Sequence, residues 1–163
     1  MANDTMRIAT WLQPQEILLD VDARDRTHVL EVLAAEIGRE HGLEPGAIFR
    51  ALWRREQAAS TGLGEGFAIP HACIVGIARP LTLFMRTKVA IAFEAPDRKP
   101  VSQLLAIIAP VDGAKDDHLQ LLALVAQLFS DRAFRRQLDS APDAAAAADA
   151  FRTGIARVTA AST

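Results

Sequence analysis

One cysteine, Cys73, in 163 residues excludes an internal disulfide framework and any cysteine-rich zinc site. Cys73 follows His71 by two residues, which raises a redox or nucleophilic role. With no partner cysteine, it reads instead as a small buried residue. Net charge is also scarce, at -2. No basic face of the kind nucleic acid requires is in evidence. No apolar run approaches the roughly 20 residues that span a bilayer. The polar start Met1-Ala2-Asn3-Asp4-Thr5 is followed by no apolar signal core. A cytoplasmic location without membrane insertion is therefore expected. There is neither an internal repeat nor an inter-domain linker. What the chain does have is apolar content: half the residues are apolar and 23% charged. That composition belongs to a globular domain with a real core.

Periodicity predicts the elements. Ile17-Leu18-Leu19-Asp20-Val21 reads as a short strand. Asp25 or Thr27 can cap a helix to about His41, with Val29, Leu33 and Ile37 on one face, and Gly42 stops it. Pro45 opens a second helix over 45–57, with Ile48, Ala51 and Leu52 inward, ending in Arg54-Arg55-Glu56. Nothing helical survives the glycines of 58–66. Phe67-Ala68-Ile69 is a short strand, Leu81–Met85 a good one and Ile91–Phe93 a shorter one. The run Leu104–Ala109 suits a strand buried on both faces. A polar loop, 112–117, leads into a helix over 116–129. A short helix near 131–138 and an alanine-rich helix over 143–157 follow. This order predicts an α/β fold, a three-layer α/β/α sandwich with a mixed sheet of about five strands. The expected organisation is a flexible leader at 1–14, a single domain over 15–158 and a frayed tail at 159–163.

Chemistry concentrates around Ser60-Thr61-Gly62-Leu63-Gly64-Glu65-Gly66-Phe67-Ala68-Ile69-Pro70-His71. Alternating glycines let a bulky group approach the backbone, and their amides can receive phosphate oxygens. Yet the spacing matches neither nucleotide-binding fingerprint, and no Lys-Ser or Lys-Thr pair follows. Alone, the segment reads as a plain surface loop more often than as a site. His71, at a strand end after the restrictive Pro70, can serve as base, nucleophile, metal ligand or structural residue. His118 begins the 116–129 helix and shares a face with Leu122, Val125 and Phe129. A helix N-terminus disfavours a charged imidazole there, so a neutral ring is expected, as a site residue or a core one. Two histidines are too few for a zinc site, and His28 and His41 read as surface residues. Arg55 suits phosphate oxygens or an acidic partner, or simply complements its helix dipole.

Together these residues resemble a known signature. Arg55-Glu56 followed by Ser60 to His71 is similar to the active-site motif of fructose/mannitol-type EIIA domains. These belong to the bacterial phosphoenolpyruvate-dependent phosphotransferase system, and the nitrogen-regulatory branch, EIIA-Ntr, is most alike. Ile91-Ala92-Phe93-Glu94-Ala95-Pro96-Asp97, Pro100-Val101 with the strand after it, and His118-Leu119 leading into Leu122 and Leu124-Val125-Ala126 resemble further family segments. The likeness covers roughly residues 15–155.

The resemblance implies an α/β/α sandwich and a phosphohistidine intermediate. His71 would be the phosphorylated nucleophile, reacting through Nε2, and His118 a phosphoryl stabiliser. Arg55, Thr61 and Ser60 would complete the catalytic set, with no cofactor and no metal. The implied donor is HPr or its nitrogen-branch paralogue. The implied recipients are regulatory targets such as a potassium transporter or sensor kinase, or an EIIB domain in sugar uptake. Weak homodimerisation is a further expectation, and a binding module without phosphotransfer is the contrasting one. The sequence departs from the family at Phe67, at Glu94, at Gln120 and in the apolar run 72–77, read as a loop beside the site.

Overall fold

A computed structural model describes residues 12–113 and 115–161 and divides the chain into two units. One comprises Leu19–Gly113; the other joins Met1–Leu18 to Ala114–Thr163.

The first unit is built on a mixed six-stranded sheet. Its strands are β1 (Ile17–Val21, beginning just before the unit), β2 (Gly62–Gly64), β3 (Phe67–Ala68), β4 (His71–Ile74), β5 (Leu81–Ile91) and β6 (Val101–Pro110). The order is β1-β5-β6-β3-β2, with β4 also pairing with β6. Strand β5 runs antiparallel to β6, while β3 and β4 run parallel to it. Phe67 lies opposite Gln103 and His71 opposite Ile107, so the two short strands keep one register along β6. They form one line interrupted at Ile69-Pro70. Pro70 has no N–H to offer, but its carbonyl still accepts from Ile107 N at 2.9 Å.

Two helices cover this sheet. Helix α1 (Arg26–His41) starts at Asp25, whose carboxylate accepts from His28 N, a cap worth about 1 kcal/mol. Gly42 ends it at φ 67°, as its sequence position predicts. Its apolar stripe of Val29, Leu30, Leu33 and Ile37 is buried, and the helix packs on β5. Helix α2 (Pro45–Ala58) packs on α1 and β4, burying Ile48 and Leu52. Ala51 is only half-buried.

The second unit holds a 3-10 turn at Pro14–Glu16 and helices α3 (Lys115–Ser130), α4 (Arg132–Ser140) and α5 (Ala144–Ala161). Phe129, Phe134 and Phe151 meet edge to face, with centroids 5.1 to 6.0 Å apart. Each such pair adds about 0.5–1.5 kcal/mol beyond simple burial. Asp131 caps α4 at Ala133 N.

The α/β class with a mixed sheet is as the sequence predicts, with six strands in place of about five. Three details differ. Within the run 72–77, residues 72–74 belong to strand β4 rather than a loop, because β6 offers them a parallel partner, while 75–77 lie beyond the strand. The two strands expected between 81 and 93 are one, β5, which bends through a register shift between Arg86 and Ile91. Residues 1–11 of the expected leader lie outside the described residues, as do Ser162 and Thr163. Leu12 is buried, and Thr159, Ala160 and Ala161 are helical. No helix among the described residues is long and apolar enough to cross a membrane.

Candidate functional site

Helix α2 delivers two adjacent polar side chains in its last turn. Successive residues on a helix point about 100° apart, so Arg55 and Glu56 serve different neighbours. Glu56 continues the buried stripe of Ile48 and Leu52 and is itself buried. Arg55 reaches outward to the start of β4. Its Nη1 donates to Ala59 O at 2.8 Å, and its Nε donates to His71 Nε2 at 3.2 Å.

His71 is half-buried and held from both sides of its ring. Nδ1 lies 2.8 Å from Ile69 O. A carbonyl can only accept, so Nδ1 carries the proton. Nε2 therefore presents a lone pair, which is what the Arg55 Nε–H requires. Two independent contacts thus assign the same tautomer. The result is a neutral imidazole with its nucleophilic nitrogen facing a permanent cation.

The glycine segment is anchored rather than loose. Thr61 N and Thr61 Oγ1 donate to the two oxygens of Glu56, at 2.9 and 2.6 Å. Thr61 O accepts from Ile69 N at 3.0 Å. Ser60 Oγ donates to Phe93 O at 2.6 Å and accepts from Gly62 N. A Cβ on Gly62 would stand 2.8 Å from Ala95 Cβ. Gly64 has φ 95°, a conformation glycine adopts without strain, and Glu65 N donates to Asp97 Oδ2 at 2.8 Å. Phe93, Ala95 and Asp97, alternate residues after β5, thus hold the segment along its length. The amides of Glu65 and Lys99 keep the Asp97 carboxyl below its ordinary value.

Arg55, Ser60, Thr61 and His71 are therefore gathered in one unit. The hydroxyls of Ser60 and Thr61, expected to complete the catalytic set, have acceptors inside the protein, Phe93 O and Glu56 Oε2. His118 belongs to the other unit. It lies in the first turn of α3, half-buried, on a helix that buries Val125 and Phe129 as expected, with Leu121 and Leu128 buried beside them and Leu122 only half-buried. Burial lowers its pKa, which favours the neutral ring. Cys73, expected to be buried, is exposed on β4, because strand alternation places it on the His71 face and buries Ala72. Among the described residues, no group of three or more His, Cys, Asp or Glu is placed to hold a metal ion.

A histidine fixed in one tautomer, with its unprotonated nitrogen accepting from an arginine, is equipped to accept an anionic electrophile. Residues 10–153 match the family described as phosphoenolpyruvate-dependent sugar phosphotransferase system, EIIA 2. The chain belongs to that family and is an EIIA-type component of the phosphotransferase system. It is 34% identical to the nitrogen regulatory protein of Escherichia coli K12, over 81% of this chain and 85% of that protein. It is 30% identical to the fructose-specific EIIABC component of Bacillus subtilis, over 82% of this chain and 21% of that protein. The crystal structure of the nitrogen regulatory protein IIA-Ntr from Neisseria meningitidis superposes with a TM-score of 0.84 at 32% identity. That match covers 89% of this chain and 99% of that one.

Proposed function

We propose that this chain is a phosphocarrier that takes a phosphoryl group onto Nε2 of His71 from the phosphohistidine of an HPr-type protein. The observation that carries the reading is the pair of hydrogen bonds on the His71 ring, which leaves Nε2 as the nucleophile. In the transfer, the Nε2 lone pair forms the new P–N bond. The donor's P–N bond breaks, and its electron pair returns to the donor ring. The proton stays on Nδ1, donated to Ile69 O, so the phosphorylated His71 ring can leave as a neutral imidazole in onward transfer. Phosphoryl transfer depends on positioning and charge stabilisation more than on covalent help. Arg55 leaves the lone pair as phosphorus arrives, and its guanidinium then pairs with the phosphoryl oxygens.

Ser60 and Thr61 contribute by holding the glycine segment in place against Phe93, Glu56 and Ile69. His118 is assigned as phosphoryl stabiliser on the strength of the family resemblance and its neutral ring. Residues 15–158 are taken to act as one EIIA-type domain in the cytoplasm. Likeness to nitrogen regulatory proteins along most of both chains favours a regulatory role, with protein targets such as a potassium transporter or sensor kinase. Likeness to a fructose component supports the second reading, transfer onward to an EIIB domain.

The test is incubation with phosphoenolpyruvate, Enzyme I and each HPr-type carrier. Acid-labile label is expected on the wild type and none on His71→Ala. Label that survives the substitution refutes the assignment. Onward transfer to a sugar EIIB selects the second reading.

A further inference from the structure

We infer that Glu56 is a positioning residue for His71, acting through the backbone of the glycine segment. The chain of contacts is continuous. Glu56 accepts from Thr61 N at 2.9 Å and Thr61 Oγ1 at 2.6 Å. Thr61 O accepts from Ile69 N at 3.0 Å, and Ile69 O holds His71 Nδ1 at 2.8 Å. Moving Glu56 or Thr61 therefore moves the carbonyl that assigns the His71 proton. Helix α2 thus sets both ring nitrogens, Nε2 directly by Arg55 and Nδ1 remotely by Glu56.

The cost of this arrangement argues for its use. Glu56 is 2% exposed, and a buried carboxylate is expensive unless it is hydrogen-bonded. An apolar residue at this place would extend the stripe of Ile48 and Leu52 at less cost. What such a residue cannot supply is two acceptors for one threonine. Arg26 supports the carboxylate from the edge. Its Nη1 lies 4.0 Å from Glu56 Oε1 and 3.4 Å from Glu94 Oε2, and its guanidinium stands 5.4 Å from the Trp53 ring centroid.

The test reads the ring before it reads the rate. Nitrogen-15 NMR of the unphosphorylated protein reports the His71 tautomer, whatever the protein's function. The Nδ1–H form is expected in the wild type, and a mixture of both tautomers in Glu56→Gln. Phosphoryl uptake, which rests on the proposed function, should fall about 10- to 100-fold, by analogy with losing the partner that orients a metal-bound histidine. The fall belongs in kcat, with KM for the donor little changed. Thr61→Val leaves the carboxylate one donor short and should shift the ring signals in the same sense but less, and Thr61→Ser should restore them. It also serves as the test if Glu56→Gln does not fold. Wild-type ring signals in either folded variant overturn the proposal. A slower rate with an unmoved tautomer overturns it too, since that is loosening rather than positioning.

Discussion

Replacing Gly62 with alanine should damage both stability and transfer, by amounts the geometry sets. The new Cβ would lie 2.8 Å from Ala95 Cβ, 3.1 Å from Ala95 Cα and 3.2 Å from Ser60 Oγ. Carbon atoms pack best at about 3.5–4.0 Å, so the glycine segment and the 93–97 strip must part by roughly 0.7–1.2 Å. Forcing a methyl group into a packed site costs about 1–3 kcal/mol. The separation also carries Thr61 away, and with it the carbonyl that orients His71. A displacement near 1 Å in such a constellation costs on the order of 100-fold in rate. Urea denaturation should therefore show a loss of about 2 kcal/mol, and phosphoryl uptake should slow by about two orders of magnitude. Ala95→Gly removes the nearest clash, so the double variant should recover about 1 kcal/mol relative to additivity. A Gly62→Ala protein within about 0.5 kcal/mol of wild type, or no recovery in the double variant, would refute this packing argument.

Other outcomes follow from the same contacts. Arg55→Ala should lower phosphoryl uptake by about 100-fold, the usual loss for one charge-stabilising donor. Arg55→Lys should recover only part of it, because a lysine lacks the planar fork. For His118, the sign is fixed by burial, which lowers its pKa below the ordinary 6.5. The unfolded chain then binds the proton first as pH falls, so this residue reduces stability below about pH 6.5 and has no effect above it. His118→Gln should flatten the stability loss as pH falls below about 6.5, measured by urea midpoints. Asp97 has the opposite sign, because its lowered pKa supports the fold at neutral pH and is lost on acidification. Exchange of the Glu65 amide should accelerate as pH falls below about 4 relative to intrinsic rates, and Asp97→Asn should remove that acceleration.

Much of this arrangement was legible in the residues. Long elements announced themselves: the α1 stripe from Val29 to Ile37, the cap at Asp25, the stop at Gly42 and the continuous apolar run that became β6. The short strands β2 and β4 did not, because neither carries a local pattern: β2 exists by pairing with β3 just after it, and β4 by pairing with β6, remote in sequence. His71 opens a strand because Ile107 lies opposite it, and nothing near His71 states that. Glu56 was hidden in a charged cluster, although its spacing from Ile48 and Leu52 places it on the buried stripe. The motif identified the site, but not that its hydroxyls turn inward to Glu56 and Phe93 O. Leu121 took the place predicted for Leu122, since three residues fit the helix face beside His118 as well as four do.

The central claim is that Nε2 of His71 is the atom that carries the phosphoryl group. Phosphorus–nitrogen correlation NMR on nitrogen-15 histidine-labelled protein, phosphorylated by an HPr-type donor, reads that bond directly. The account predicts coupling of phosphorus to Nε2 of His71, with Nδ1 still protonated. Phosphorus on Nδ1, or on a different residue, contradicts it.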